Sequence, residues 1–146
     1  MSYTVLKNNF IISTDKNKID VDYVHGFLAS SYWSPGIPLD KVKKSIAGSL
    51  CFGVYNNEQQ VGFARMVTDS SSFAYLADVF IDEKCRGNGL GKWLIEAILA
   101  HPDLQDLRRI MLATKDAHTL YEQFGFTAIP DPTRYMVYNP TVSKNK

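Results

Sequence analysis

The sequence predicts a mixed α/β fold. Strand-like and helix-like apolar patterns follow one another along the chain in the order β-α-α-β-β-β-α-β-α-β-β. A glycine-rich turn over residues 87–91 joins an apolar strand to a helix with a clear apolar stripe. The length of 146 residues suits a single domain, spanning 1–146, that can bury a good core.

The first part of the chain is predicted to contain one strand and two helices. Residues 3–13 alternate weakly between apolar and polar side chains and predict a strand. Asp20 can cap a helix that runs to about Ser31, in which apolar residues recur at helical spacing. After the loop Pro35–Pro38, a short second helix is expected over Leu39–Ala47.

Three strands are predicted in succession in the middle of the chain. They cover Leu50–Tyr55, Val61–Val67 and Phe73–Ile81. The turns between them are predicted at Asn56–Asn57 and at Asp69–Ser72, where turn-forming residues cluster.

The last part of the chain alternates helices and strands. A striped helix begins at Leu90 and ends at Pro102, and a buried strand follows at Arg109–Ala113. A second striped helix contains Tyr121 and is closed by Gly125. Two closing strands are predicted at Phe126–Ile129 and Tyr135–Tyr138, and residues 143–146 are predicted to be a frayed tail.

Composition excludes several classes of function. Sixteen basic and fifteen acidic side chains leave a formal charge of +1, which argues against a nucleic-acid protein with a strong basic field. The two cysteines form no CxxC pair, and the three histidines are scattered, so no metal site is expected. The start of the chain has no signal-peptide core and no apolar run is long enough to span a membrane, which predicts a cytoplasmic protein.

The glycine-rich turn indicates an anion site. Glycines let the backbone approach a ligand closely, and the helix that follows presents free N–H groups and a positive dipole end. A P-loop is excluded because Gly91-Lys92 is followed by Trp93 where Ser or Thr would bind Mg²⁺. The dinucleotide fingerprint also fails, because Lys92 stands where its third glycine belongs.

The remaining pattern, Arg86-x-x-Gly89-x-Gly91, resembles the pyrophosphate loop of the GCN5-related N-acetyltransferases (the GNAT family). The strand before that loop fits the family pattern as well. Downstream, Ala117-x-x-x-Tyr121-x-x-x-Gly125-Phe126 matches the second motif of the family. The resemblance implies a central mixed, mostly antiparallel sheet that is splayed between its fourth and fifth strands and flanked by about four helices.

The resemblance also implies acetyl-coenzyme A as co-substrate, held without a metal. Its pyrophosphate would lie on the loop, and its arm and thioester would meet the backbone of the preceding strand. Thr114 stands where the family often has an asparagine that helps to hold the cofactor arm. The expected cofactor-binding residues are Val79, Phe80, Ile81, Arg86, Gly87, Asn88, Gly89, Leu90, Gly91, Lys92 and Thr114.

The resemblance assigns catalytic roles to few side chains. Tyr121 matches the tyrosine that the family often uses as general acid toward the coenzyme A thiolate, although it also lies on the apolar stripe of its helix. Asp78 is the leading candidate for the base, with pairing to Arg65 on the neighbouring strand as its structural alternative. His118 and a relay of water molecules are the other two candidates for proton removal.

The acceptor pocket of the family is built largely from the first helix-loop-helix and the closing strands. Tyr32 and Trp33 would then contact the acceptor, although an aromatic pair more often fills the core. The implied activity is transfer of acetyl to a primary amine by direct attack in a ternary complex. The acceptor can be a small molecule or a peptide, and a homodimer is compatible because dimers are frequent in the family. The alternative is a coenzyme A-binding sensor or interaction module without turnover.

Overall fold

The computed structural model describes residues 2–141, so the predicted frayed tail at 143–146 lies outside the described residues. The described chain falls into two compact units. The first ends at Asp116 and contains the sheet and the first three α-helices, and the second begins at Ala117.

The first unit is built on a six-stranded mixed sheet with the strand order β1-β2-β3-β4-β5-β6. All neighbouring strands are antiparallel except β5 and β6, which are parallel and are connected through a helix. The predicted mixed, mostly antiparallel sheet is therefore confirmed. The strands are β1 (Thr4–Lys7), β2 (Phe10–Ser13), β3 (Leu50–Asn56), β4 (Gln59–Thr68), β5 (Phe73–Ile81) and β6 (Arg109–Leu112).

The single strand predicted over residues 3–13 is wrong, because this segment forms the β1–β2 hairpin. Asn8 lies in the turn with φ +55°, a left-handed conformation that asparagine tolerates better than most residues. The chain reverses there, so Val5 pairs with Ile12 across the hairpin.

Within residues 2–141 the four expected α-helices lie between and after the strands. Asp20 caps the first, since its side chain accepts a hydrogen bond from the Tyr23 amide at 3.1 Å. No helix within residues 2–141 is long and apolar enough to cross a lipid bilayer. The helices are α1 (Val21–Ala29), α2 (Leu39–Ala47), α3 (Leu90–Leu99) and α4 (His118–Glu122).

The helices of the first unit cover both faces of its sheet. Val24 and Leu28 of α1 and Val42 of α2 pack with Phe63 of β4 in one buried cluster. The ring of Phe52 on β3 instead lies 5.7 Å from that of His101, just beyond α3. Because Phe52 neighbours Cys51, which belongs to the α1–α2 cluster, successive side chains of β3 face opposite helical layers.

The two closing strands predicted at Phe126–Ile129 and Tyr135–Tyr138 are wrong. Both segments are irregular, and a short 3₁₀ helix at Pro132–Arg134 lies between them. Pro130 and Pro132 lack the N–H that a strand ladder needs, which disfavours pairing at this place.

The parallel pairing between β5 and β6 is short. It runs from Phe73–Arg109 to Leu76–Leu112, while β5 continues to Ile81. The last five residues of β5 therefore extend beyond the ladder with β6. The end of this ladder lies between the two strands at which the resemblance predicts a splay, the fourth and the fifth when β1 and β2 are counted as one strand.

Candidate functional site

The glycine-rich turn follows β5 and leads directly into α3. Gly87 has φ +88° and Gly89 has φ +74°, values that L-residues with a side chain rarely adopt. A Cβ atom at either position would meet nothing within 4 Å, so backbone conformation and not crowding makes glycine necessary here. Gly91 has no positive φ and belongs to the first turn of α3.

The start of α3 presents backbone amides without a side-chain cap. Gly89 occupies the N-cap position and offers no side chain to accept from the first turn, which contains no acidic residue. The first intrahelical bond at this end runs from the Trp93 amide to the Gly89 carbonyl, at 3.1 Å. The amides of Leu90, Gly91 and Lys92 therefore precede the helical ladder, and together with the helix dipole they favour an anion.

Two side chains hold the turn in shape. Arg86 Nε donates to the Ile81 carbonyl at 3.2 Å, and Asn88 Nδ2 donates to the Cys85 carbonyl at 3.1 Å. The guanidinium of Arg86 is also 3.9 Å from the Glu83 carboxylate, in a solvent-exposed pair. Arg86 thus links the loop to the end of β5 and also keeps a positive charge at the loop.

The end of β5 is fixed by contacts that the sequence did not indicate. The Asp82 amide donates to the Val61 carbonyl at 2.7 Å, and the Tyr23 hydroxyl donates to Asp82 Oδ2 at 3.1 Å. Burial, with a smaller contribution from Asp82, raises the pKa of Tyr23 well above its ordinary value. The Tyr23 hydroxyl therefore stays protonated and acts as a donor that anchors the strand.

A β-bulge interrupts β5 within the segment that extends beyond β6. Phe63 pairs with Phe80 and Arg65 pairs with Ala77, so Asp78 and Val79 together lie opposite Ala64. Asp78 has φ +56°, which is uncommon for a residue with a side chain. A bulge of this kind leaves one residue without a ladder partner and turns its backbone groups away from the neighbouring strand.

The side chains that follow the bulge belong to the core. Phe80 is buried and stacks on Phe27 of α1, with ring centroids 3.8 Å apart and planes within 6°. Ile81 is also buried, and Val79 is half-buried. Any contact of this segment with a ligand is thus expected from its backbone.

Asp78 accepts hydrogen bonds on both carboxylate oxygens. Arg65 Nε donates to Oδ2 at 2.6 Å, and Trp33 Nε1 donates to Oδ1 at 2.9 Å. The Asp78 side chain is 8% exposed and that of Arg65 is 19% exposed. Arg65 is held in turn by Ser49, whose hydroxyl accepts from Nη1 at 3.1 Å. The strand order predicts the pairing with Arg65, whereas the bond to Trp33 has no local signal in the sequence.

Tyr32 and Trp33 lie in the loop between α1 and α2 and are exposed rather than packed in the core. Tyr32 is 57% exposed and Trp33 is 40% exposed, and their rings meet edge to face at 5.1 Å. Lys115 Nζ lies 5.4 Å from the centroid of the Tyr32 ring, within reach of a cation–π interaction. Thr114, its neighbour in the chain, is half-buried just beyond β6.

Tyr121 and His118 belong to the second unit. Tyr121 is buried within α4, and its ring packs edge to face on Phe126 at 5.7 Å. The Phe126 amide also donates to the Tyr121 carbonyl at 3.2 Å, and Gly125 makes the turn with φ +93°. His118 is exposed at the start of α4.

The predicted site residues of the first unit are thus largely contiguous along the chain, from the bulge of β5 to the first turn of α3. The structure adds Trp33 to this group through its bond to Asp78. Within residues 2–141, no group of three or more histidine, cysteine, aspartate or glutamate side chains is arranged to hold a metal ion.

Comparisons with known proteins identify the family of this chain. The family model described as "Acetyltransferase (GNAT) domain" matches residues 47–128. A protein of Gibberella zeae named as an acetyltransferase is 31% identical over 139 residues, which cover 79% of this chain and 77% of that protein.

Solved structures give the same result. A GNAT-family acetyltransferase from Xanthomonas campestris is 44% identical, with a TM-score of 0.87 over 89% of this chain and 92% of the other. An acetyltransferase from Clostridium acetobutylicum, solved with acetyl-CoA, shares the fold at 16% identity, with a TM-score of 0.67 over 97% of this chain and 98% of the other. Because the family model covers more than half of the sequence, the chain belongs to the GNAT family of acetyltransferases.

Proposed function

We propose that this protein transfers acetyl from acetyl-coenzyme A to a primary amine by direct attack in a ternary complex. The observation that carries the proposal is the succession, along one stretch of chain, of a bulge at Asp78 and an uncapped, glycine-shaped helix entry at Gly89. The first suits a carbonyl group and the second suits a phosphate. Their common ligand would carry both groups, as acetyl-coenzyme A does.

The loop would hold the pyrophosphate. The backbone from Arg86 through Gly87, Asn88, Gly89, Leu90 and Gly91 to Lys92 supplies amides near the positive end of α3. Arg86 and Lys92 add positive charge, so no metal ion is needed to neutralise the ligand. Thr114, just beyond β6, is the residue that we expect to contact the pantetheine arm.

The bulged strand would hold the thioester. Val79, Phe80 and Ile81 lie beyond the end of the ladder with β6, and we propose that the arm and the thioester run along this part of β5. Donors fixed in place before reaction stabilise the negative charge that develops on the carbonyl oxygen as the amine attacks. In the reaction the amine nitrogen forms a bond to the acetyl carbon, and the carbon–sulfur bond breaks.

Tyr121 is proposed as the general acid. It would give its phenolic proton to the departing thiolate and regain a proton from solvent. The support for this role is the match of residues 117–126 to the family motif, together with the fixed position of the Tyr121 ring on Phe126 within its unit.

Proton removal from the attacking ammonium is assigned to water. Asp78 is the leading candidate for the base on sequence grounds, but Arg65 and Trp33 already donate to its two oxygens. Both carboxylate oxygens are thus occupied by donors within the protein, so Asp78 has a structural role that does not require contact with the ammonium. His118 remains the second candidate, since it is exposed to solvent at the start of α4.

The acceptor is proposed to lie against Tyr32 and Trp33. Their exposed rings offer an apolar and π-rich surface that suits the carbon skeleton and the cationic head of an amine. Trp33 reaches Asp78 at the bulge, which places this surface beside the backbone proposed to hold the thioester.

The test is a thiol-release assay with acetyl-coenzyme A and a panel of spermidine, tryptamine, glucosamine and a lysine-containing peptide. We expect at least one amine to accelerate thiol release, and Tyr121→Phe to lower turnover by about a hundredfold or more while coenzyme A binding is kept. Tyr75→Phe, at a position on β5 that is 38% exposed and lies outside the proposed site, is the matched control and should leave turnover unchanged.

The outcomes separate the two candidate functions. If the protein binds coenzyme A but none of the amines causes thiol release, the result would favour the sensor or interaction module over the enzyme. Equal turnover in the wild type and in Tyr121→Phe would remove the general-acid role and leave acetyl transfer itself intact.

A further inference from the structure

The Asp78 carboxylate joins two parts of the first unit that are far apart in sequence. Trp33, in the loop between α1 and α2, is 45 residues away from Asp78 and donates to its Oδ1 at 2.9 Å. Arg65, on β4, donates to Oδ2 at 2.6 Å and is itself held by the Ser49 hydroxyl. The Asp78 side chain therefore connects the bulge of β5 to the loop between α1 and α2 that carries Tyr32 and Trp33.

The backbone conformation of Asp78 limits which residues could accept the hydrogen bond from Trp33 at this position. With φ +56° at the bulge, the residue has a left-handed backbone that asparagine and aspartate tolerate and that most other residues do not. Its side chain is almost wholly withdrawn from solvent, so the two hydrogen bonds are not easily replaced by water. Losing either the side chain or its backbone conformation would remove the hydrogen bond that the indole N–H of Trp33 donates.

The loop has other anchors that do not involve the bulge. The Gly36 amide donates to the Ala29 carbonyl at 2.9 Å, and the Ser34 amide donates to the Ser31 hydroxyl at 3.1 Å. These bonds keep the loop folded on itself but do not fix the indole of Trp33. Trp33 is 40% exposed, its ring lies 6.4 Å from that of Phe27, and Asp78 accepts the hydrogen bond of its indole N–H.

We infer that Asp78 is a positioning residue, which holds the indole of Trp33 beside the bulge and so couples the acceptor surface to the backbone that receives the thioester. The part of this inference that concerns the acceptor and the thioester rests on the proposed function. The tie between Trp33 and Asp78 can be measured without any acceptor. Asp78 does not itself exchange a proton with substrate in this scheme.

The first experiment measures the tie directly. The chain has two tryptophans, Trp33 and the buried Trp93, so Trp93→Phe leaves Trp33 as the only indole. In this background we expect acrylamide to quench Trp33 more strongly when Asp78 is changed to Ala. Asp78→Asn tolerates the left-handed backbone but offers one acceptor oxygen to the two donors Arg65 and Trp33, so we expect it to restore only part of the protection. Asp106→Ala, at an exposed position, is the control.

The second experiment separates positioning from base catalysis. With the amine that the panel identifies, Trp33→Phe removes the indole donor and should raise KM for the amine by about tenfold, the effect of one lost hydrogen bond, with kcat little changed. Asp78→Asn should keep substantial kcat and the same pH profile as the wild type. A base role would instead predict that Asp78→Asn abolishes turnover and removes the acid limb of the profile.

Each result decides the inference. Equal quenching of Trp33 in the wild-type and Asp78→Ala backgrounds would overturn it, as would loss of turnover in Asp78→Asn with Trp33 still protected. If Asp78→Ala does not fold, the comparison of Asp78→Asn with Trp33→Phe in KM and pH profile still decides. If no amine in the panel is acetylated, the proposed function fails, whereas the quenching result still confirms or refutes the tie.

Discussion

At the scale of the residue, the backbone at Gly89 controls how α3 begins. Gly89 has φ +74°, and a Cβ atom added to it would meet nothing within 4 Å, so a side chain there would be strained only by its backbone. Gly91 also has open space around it but belongs to the helix, without a positive φ. The two glycines therefore differ in the sign of φ, and this backbone conformation decides whether an added methyl group is strained.

This difference predicts opposite effects on stability. Gly89→Ala should lower the free energy of unfolding by about 1 kcal/mol, because alanine is disfavoured in the left-handed region. Gly91→Ala should raise it by about 0.5–1 kcal/mol, because alanine is the better helix former. Urea unfolding of both variants in the absence of ligand checks the prediction, and changes of the same sign would contradict it.

Single residues also show how far the sequence could predict the site. The glycine loop was predictable, because turn glycines before a striped helix have a local physical meaning. The pairing of Arg65 with Asp78 followed from the order of neighbouring strands. The left-handed conformation of Asp78 and its bond to Trp33 could not be foreseen, since both depend on tertiary contacts between segments 45 residues apart.

At the scale of the element, helix ends follow local chemistry closely. The bounds of α2 and β5 match the predicted ranges, and α1 begins directly after its predicted cap, Asp20. The cap is a single contact, in which Asp20 Oδ1 accepts from the Tyr23 amide. The start of α1 should therefore respond to removal of that oxygen.

We expect Asp20→Ala to destabilise the protein by about 1 kcal/mol, the usual effect of losing an N-cap side chain. Asp20→Asn keeps an acceptor oxygen at the cap and is the matched control, with a much smaller expected effect. Thermal or urea unfolding measures both. If Asp20→Asn lowers the free energy of unfolding as much as Asp20→Ala does, the charge of Asp20, and not its hydrogen bond to the Tyr23 amide, stabilises α1.

Elements without such local determinants were predicted less well. The weak alternation over residues 3–13 did not mark the reversal at Asn8 that makes two strands. The segments at Phe126–Ile129 and Tyr135–Tyr138 have apolar and aromatic residues typical of strands, yet both are irregular. Strand propensity reflects packing against a neighbour, so apolar content alone does not ensure pairing.

At the scale of the whole molecule, acid stability should depend on His101. This histidine is 7% exposed and its ring packs 4.8 Å from that of Tyr3, while its Nδ1 accepts from the Asp103 amide at 3.1 Å. Burial lowers the pKa of His101 below its ordinary value, against a smaller opposing effect of Asp103. The folded protein therefore holds the neutral ring.

The lowered pKa of His101 determines how stability depends on pH. As pH falls through the ordinary histidine value of about 6.5, the unfolded chain takes up a proton that the folded chain does not, and stability is lost. Asp69, whose pKa is lowered by hydrogen bonds from the Ser72 hydroxyl and nearby amides, contributes stability that is lost only below its ordinary value of about 3.9. The two groups thus act in separate pH ranges.

We expect the free energy of unfolding to fall between pH 7 and pH 5, and His101→Asn to reduce that slope. Asparagine can still accept from the Asp103 amide but does not titrate in this range. Thr119→Asn, at an exposed position without a titratable side chain, is the control and should keep the wild-type slope. Urea unfolding at several pH values gives the measurement, and an unchanged slope in His101→Asn would contradict the prediction.

The central claim concerns the whole molecule as well, since the loop and the bulge must serve one ligand. The most direct test is a thermal-shift titration with acetyl-coenzyme A, free coenzyme A, ATP and NAD. A ligand that binds the folded state raises Tm by mass action. We predict a concentration-dependent rise with both coenzyme A forms, a much smaller one with ATP and NAD, and a weakened rise in Gly89→Ala. No rise with coenzyme A, or an equal rise with ATP, would contradict the claim that this loop holds the pyrophosphate of acetyl-coenzyme A.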